Sequence, residues 1–212
     1  MQQSKTKKQN ALTANSQKLK ATRGFTLIET LVAITVLLLS ITAPLQIASQ
    51  ALFSAFYVRD EITAYYLAEE AIEYIKNSRD TRFLEDVFNS GVVIEDNAWL
   101  VGLGECIENP TITKGCTVDA TKPFMSDPEA IVSCNVSGCL PIRFDESSGI
   151  WNYVSGDVSK FTRTIELKPQ TNNGGTNEEA LIEVTVEWQG NNAFVGAKKV
   201  FISALISNWQ RK

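Results

Sequence analysis

Arg23-Gly24-Phe25-Thr26-Leu27-Ile28-Glu29 is the stretch on which the reading of this chain turns. From Phe25 to Phe56 the residues are apolar or uncharged with one exception, Glu29. A helix rises about 1.5 Å per residue and needs ~20 residues to cross the hydrocarbon layer, so this run is long enough to span a membrane. A carboxylate inside such a run carries a desolvation cost and by default marks a function with a named partner. The partner this sequence offers is the α-amino group that a cut after Gly24 would create.

The residues before the cut fit that reading. Residues 1–24 hold Lys5, Lys7, Lys8, Lys18, Lys20 and Arg23 with no acid, and the remainder is mostly Gln, Asn, Ser, Thr and Ala. An ordinary secretory signal places its apolar core before a small-residue cleavage site. Here the small residue, Gly24, precedes the apolar run, so cleavage would leave that run on the mature chain. Six cations ahead of the span put the leader on the cytoplasmic side and everything after the span outside. The expectation is a single-pass protein of the cytoplasmic (inner) membrane with an external C-terminal domain.

Gly24-Phe25-Thr26-Leu27-Ile28-Glu29, continued by Leu31-Val32-Ala33-Ile34, closely resembles the prepilin processing motif of type IV pilins and type II secretion pseudopilins. The resemblance implies cleavage after Gly24 by prepilin peptidase and N-methylation of the new terminus, Phe25. It implies that Glu29, the fifth mature residue, pairs with the terminal ammonium of a neighbouring subunit. In a low-dielectric helix bundle each isolated charge is costly, and bringing the two together offsets part of that cost while selecting axial register. The partners implied are prepilin peptidase, other pilin subunits, a membrane assembly platform with its assembly ATPase, and the lipid bilayer. A plain signal-anchor helix with an incidental Glu is the competing reading; it leaves the coincidence of leader, glycine, lone acid and apolar run unexplained.

Composition narrows the function classes. Without the leader's six cations, 14 basic residues face 24 acidic ones, a net charge of about −10. An acidic external domain gives no support to nucleic-acid binding, which needs cations to neutralise phosphates. The chain has no histidine, the commonest general base and metal ligand. No nucleophile–base constellation, phosphate loop or metal-ligand cluster stands out, so the sequence reads as a non-enzyme without a cofactor.

From Phe25 to about Ser78 there is no glycine and one proline, which predicts one long helix. Pro44 withholds an amide hydrogen and crowds the preceding turn, so a kink or local unwinding is expected there. Val58, Ile62, Tyr65, Ala68, Ile72 and Ile75 recur at helical spacing and predict an apolar stripe that rests on the protein's own sheet, with a lateral contact to another subunit as the alternative. The segment Ala64–Asp80, with Ala-Glu-Glu-Ala-Ile-Glu followed by Arg79-Asp80, resembles the helix of minor pilins and small pseudopilins.

Residues 81–140 hold glycines, prolines and all four cysteines and read as an irregular connecting region. Beyond it, Leu140–Phe144 and Ile150–Val154 flank a turn, and Phe161–Leu167, Ile182–Trp188 and Val200–Ser207 alternate with period two, as antiparallel strands with one wet face do. The fold class is α+β, a long N-terminal helix on an antiparallel sheet. The organisation is leader 1–24, membrane or filament-core helix 25–56, amphipathic continuation 57–80, connecting region 81–140 and sheet region 141–212.

Cys106, Cys116, Cys134 and Cys139 in loop-rich external sequence favour disulfides, and the short local loops prefer Cys106–Cys116 with Cys134–Cys139. A four-cysteine zinc site and free thiols are the alternatives; zinc sites prefer tighter spacing on both sides than these pairs have. Asn135-Val136-Ser137 matches a glycosylation triplet. Asp80, Glu85, Asp86, Glu95 and Asp96 read more readily as a solvated acidic face than as a calcium site. Trp99, Trp151, Trp188 and Trp209 read as core or sheet-face aromatics. The function expected is a structural subunit, a minor pilin or pseudopilin, of a surface pilus or a periplasm-spanning filament. The second class is a membrane-anchored binding protein or filament-tip adhesin with residues 81–140 as its working surface.

Overall fold

The computed structural model describes residues 24–90, 98–107, 114–124, 126–171, 177–190 and 196–208. The chain divides after Gln50 into two compact units. One helix, α1 (Leu27–Ser90), begins in the first unit and continues in the second.

In the first unit α1 presents apolar side chains all round, from Leu27 at 82% exposure to Ile47 at 69%, left uncovered among the described residues. Its hydroxyls are hidden instead on the helix's own backbone. Thr30, Thr35, Ser40, Thr42 and Ser49 each donate to the carbonyl three residues earlier, at 2.8–3.1 Å. Such back-bonding lets a polar residue sit in a medium that offers no partner. Among the described residues α1 is the one helix long and apolar enough to cross a membrane. Helical conformation runs through Pro44 without a break. Local unwinding, one of the two outcomes expected there, is therefore absent.

In the second unit α1 lies on a seven-stranded antiparallel sheet, the α+β arrangement that the sequence pattern predicts. The strands are β1 (Cys116–Val118), β2 (Ile131–Ser133), β3 (Pro141–Asp145), β4 (Ile150–Asn152), β5 (Asp157–Thr171), β6 (Asn177–Trp188) and β7 (Lys198–Ser207). β5 is the axis. It pairs with β6 along most of its length, with β3 between Asp157 and Thr162 and with β1 at Ile165, while β7 adds to β6 in an unbroken register. Parity sets the two faces: Phe161, Ile165, Leu167, Ile182, Val184 and Val186 are buried under α1, and the alternate residues are half-exposed or exposed.

The helix meets that face through Ala64, Leu67, Ala68, Ala71, Ile72, Ile75 and Ser78, all buried. The stripe is thus rotated from the expected one. Ala68, Ile72 and Ile75 belong to it, but Val58, Ile62 and Tyr65 are 45–50% exposed. The physical reason is size matching: the sheet supplies the bulky side chains, and alanines let the helix come close enough to fill the space between them.

The region expected to be irregular is more ordered than that. α1 continues to Ser90, two 3-10 turns occupy Ala98–Leu100 and Gly104–Cys106, and β1 and β2 form a small hairpin-like pair. Gly115 admits β1 to the edge of β5: its φ is +79°, and an added Cβ would lie 2.2 Å from the Ile165 carbonyl. Two disulfides, Cys106–Cys116 and Cys134–Cys139, pin this lobe, the first tying the second 3-10 turn to β1. Both close short loops. Replacing Cys134 and Cys139 together with serine is expected to lower stability by about 2 kcal/mol by the loop-closure estimate. Urea unfolding of the full chain in detergent, with and without reductant, measures it; an unchanged midpoint would show the loop to be ordered without its bridge.

Candidate functional site

The head of α1 is the first candidate site. Thr26 caps the helix: its hydroxyl accepts the amide of Glu29 at 3.3 Å, and its carbonyl accepts the amide of Thr30 at 3.1 Å. Thr-x-x-Glu at a helix start is the sequence form of a capping box, a signal the residue-by-residue reading missed. Glu29 is the acid of the first turn, where a negative charge complements the exposed amides of the helix terminus. Phe25 is 78% exposed and Glu29 is exposed. Gly24 is equally open, since a Cβ added there meets nothing within 4 Å. Nothing in the fold therefore demands glycine at 24 or acid at 29. Both residues are presented outward, five positions apart, and none of the described residues engages their outward faces.

The model of the prokaryotic N-terminal methylation motif matches residues 19–43. The chain carries the type IV pilin and pseudopilin signature. Comparison with curated proteins finds no significant match. Comparison with solved structures finds none either. The matched span covers Lys20, Arg23, Gly24, Phe25, Glu29 and the first part of α1, stopping one residue short of Pro44. It leaves the sheet domain unmatched, so that domain's chemistry has to be read from its own side chains.

There, the described residues include no group of three His, Cys, Asp or Glu side chains placed to hold a metal. Asp80 pairs with Arg79 at 2.8 Å; the side chains of Glu85 and Asp86, and residues Glu95 and Asp96, lie outside the described set. All four cysteines are taken up in disulfides. Asn135 stands exposed in the loop closed by Cys134–Cys139, its side-chain oxygen accepting the Ser137 amide at 2.9 Å. Trp99 and Trp188 are buried, Trp151 is half-buried between Phe144 and Phe161, and Trp209 lies outside the described residues.

A cleft of about 550 Å³ opens beside β1 and β2, with Asp119, Lys122, Glu129, Asn135, Leu140 and Tyr153 in its wall. Asp119 is almost fully buried, and both of its oxygens are engaged. One oxygen accepts from the Thr121 amide and hydroxyl, the other from the Tyr153 amide at 3.1 Å. Burial pushes the Tyr153 phenol above its ordinary range, with the Arg163 guanidinium beside it partly offsetting that. Lys122 is engaged by Asp127 and Glu129.

Arg163 is the residue the alternation pattern passed over. It occupies an apolar-parity position of β5, is 1% exposed, and donates to the Leu67 carbonyl at 2.8 Å, the Val118 carbonyl at 2.5 Å and Glu70 at 2.7 Å. One guanidinium thus clasps α1, β1 and β5. A cation at a core-facing strand position must find acceptors, and that requirement was the available signal. Arg163→Ala is expected to cost about 1–3 kcal/mol, because it strands buried acceptors, and Arg163→Met less, because it refills the volume. Chemical denaturation of both variants checks the order; equal stability of Arg163→Ala and the parent would show the clasp to be idle.

Proposed function

We propose that this chain is a structural subunit, a minor pilin or pseudopilin, of a type IV pilus or type II secretion-like filament. Prepilin peptidase cuts it after Gly24, the new terminus at Phe25 is methylated, and α1 holds it in the inner membrane until an assembly platform and its ATPase draw it into a filament. In the filament, Glu29 meets the terminal ammonium of a neighbouring subunit. The observation that carries this reading is the head of α1: the methylation motif coincides with a lone exposed carboxylate at the start of an apolar helix left uncovered among the described residues. A groove along α1 at Ala51, Ala55, Val58, Ile62 and Tyr66 supports a further lateral packing face.

Intact mass and N-terminal sequencing of the protein from membranes and from sheared filaments test the proposal. The expected species begins at Phe25, carries one added methyl, and occurs in both fractions. A chain still beginning at Met1 overturns it.

A binding role at a filament tip is the second reading, favoured by the cleft beside β1 and β2. Immunogold labelling confined to filament ends would support it, and labelling along the shaft would exclude it.

A further inference from the structure

β7 ends the sheet: among the described strands it pairs with β6 alone. The Asn208 amide donates to the Glu178 carbonyl at 2.7 Å, which sets the phase of the ladder. Alternate residues of an antiparallel strand turn their backbone groups to opposite sides, so Lys199, Phe201, Ser203, Leu205 and Ser207 point N–H and C=O away from β6. Arg79 caps one end of this row by donating to the Ser207 carbonyl at 3.3 Å.

Lys199 puts a charge at the other end; between the two ends the row carries none of the usual guards. Natural edges are blunted by charges, prolines, bulges or shortness. Val200–Ile206 has no charge, proline or glycine, and its register with β6 is continuous over ten pairs from Lys198 to Ser207. On the outer face Phe201 and Leu205 are 55% and 58% exposed. Such an edge is a template for a further strand.

We infer that the free edge of β7 receives an extended, antiparallel strand from a different protein, with alternating apolar side chains and an acid near its C-terminal end. The acid follows from charge: Lys198 and Lys199 open the edge, and no acidic residue lies between Lys198 and Ser207. An antiparallel strand would bring its C-terminal end to those lysines, as Glu187 of β6 stands opposite Lys199 on the other side.

A second copy joined β7 to β7 offers no such acid: its own Lys198–Ser207 carries none, so Lys198 and Lys199 would stay without a counter-charge.

The probe is a synthetic ten-residue peptide copying β6, Glu179–Trp188, whose sequence already fits β7 in antiparallel register on the inner side. Titrated into the full chain in detergent, it is expected to bind saturably and to slow hydrogen exchange at least tenfold at the outward amides of residues 199–205. The same peptide N-methylated on alternate, β7-facing amides should bind at least tenfold more weakly. Ser203→Pro should lose binding likewise while keeping the parent's unfolding midpoint, since the Ser203 amide serves no bond to β6. Absence of binding, equal binding of the N-methylated peptide, or self-association of the chain through β7 would each overturn the proposal. Peptide binding does not depend on cleavage or methylation, so its failure is distinct from failure of the filament reading.

Discussion

Gly24→Val is expected to yield only uncut precursor, heavier than the processed chain by the whole of residues 1–24 and lacking the methyl group. The effect falls on the peptidase, not on the fold. A Cβ at position 24 meets nothing within 4 Å, and Gly24 precedes the helix that begins at Leu27, so the variant chain folds as the parent does. What changes is the approach of the scissile carbonyl to the enzyme, where a branched side chain occupies space that glycine leaves empty. Intact mass of membrane-extracted protein reads the outcome directly. Normal processing of the variant would remove Gly24–Phe25 as the cleavage site, and with it the origin of the ammonium that Glu29 is proposed to meet.

Glu29→Val separates processing from assembly. Cleavage and methylation should proceed, because the junction is intact, while recovery in sheared filaments should fall at least about tenfold. Two effects compete for the explanation. Loss of a first-turn acid costs the helix terminus about 0.3–1 kcal/mol, too little to unwind a helix of 64 residues. Leaving a neighbour's ammonium buried and unpaired costs about 3–5 kcal/mol, which is a hundredfold or more in an equilibrium. The size of the defect therefore reports which effect operates. Glu29→Gln, which keeps shape and hydrogen-bonding groups without the charge, should resemble Glu29→Val; incorporation of either variant at the parental level would end the pairing argument.

The parts of this chain that were legible in its sequence are those governed by one dominant physical term. The apolar run after Phe25 follows from hydrophobicity alone, and the period-two strands β5, β6 and β7 from burial of one face. The misses share the opposite character. β1 and β2 are three residues each, too short for alternation to register. The true packing stripe of α1 is rich in alanine, whose weak hydrophobicity let Val58, Ile62 and Tyr65 outvote it. Arg163 was overlooked because a cation in a core-facing place has meaning only once Leu67, Glu70 and Val118 are known to surround it. At the head of α1, Thr26-x-x-Glu29 carries the cap in its sequence form.

The two disulfides both close within the lobe of β1 and β2, and neither reaches α1. A subunit pulled along its helix would therefore have no covalent stop between the helix and the sheet. Tension would be carried by the alanine seam, by the Lys160–Asp60 bridge and by the grip of Arg163 on the Leu67 carbonyl and Glu70, all of which can let go and re-form. The crosslinked lobe would ride through such an event unchanged, so the mechanical fuse of this molecule and its rigid part are different pieces of the same chain.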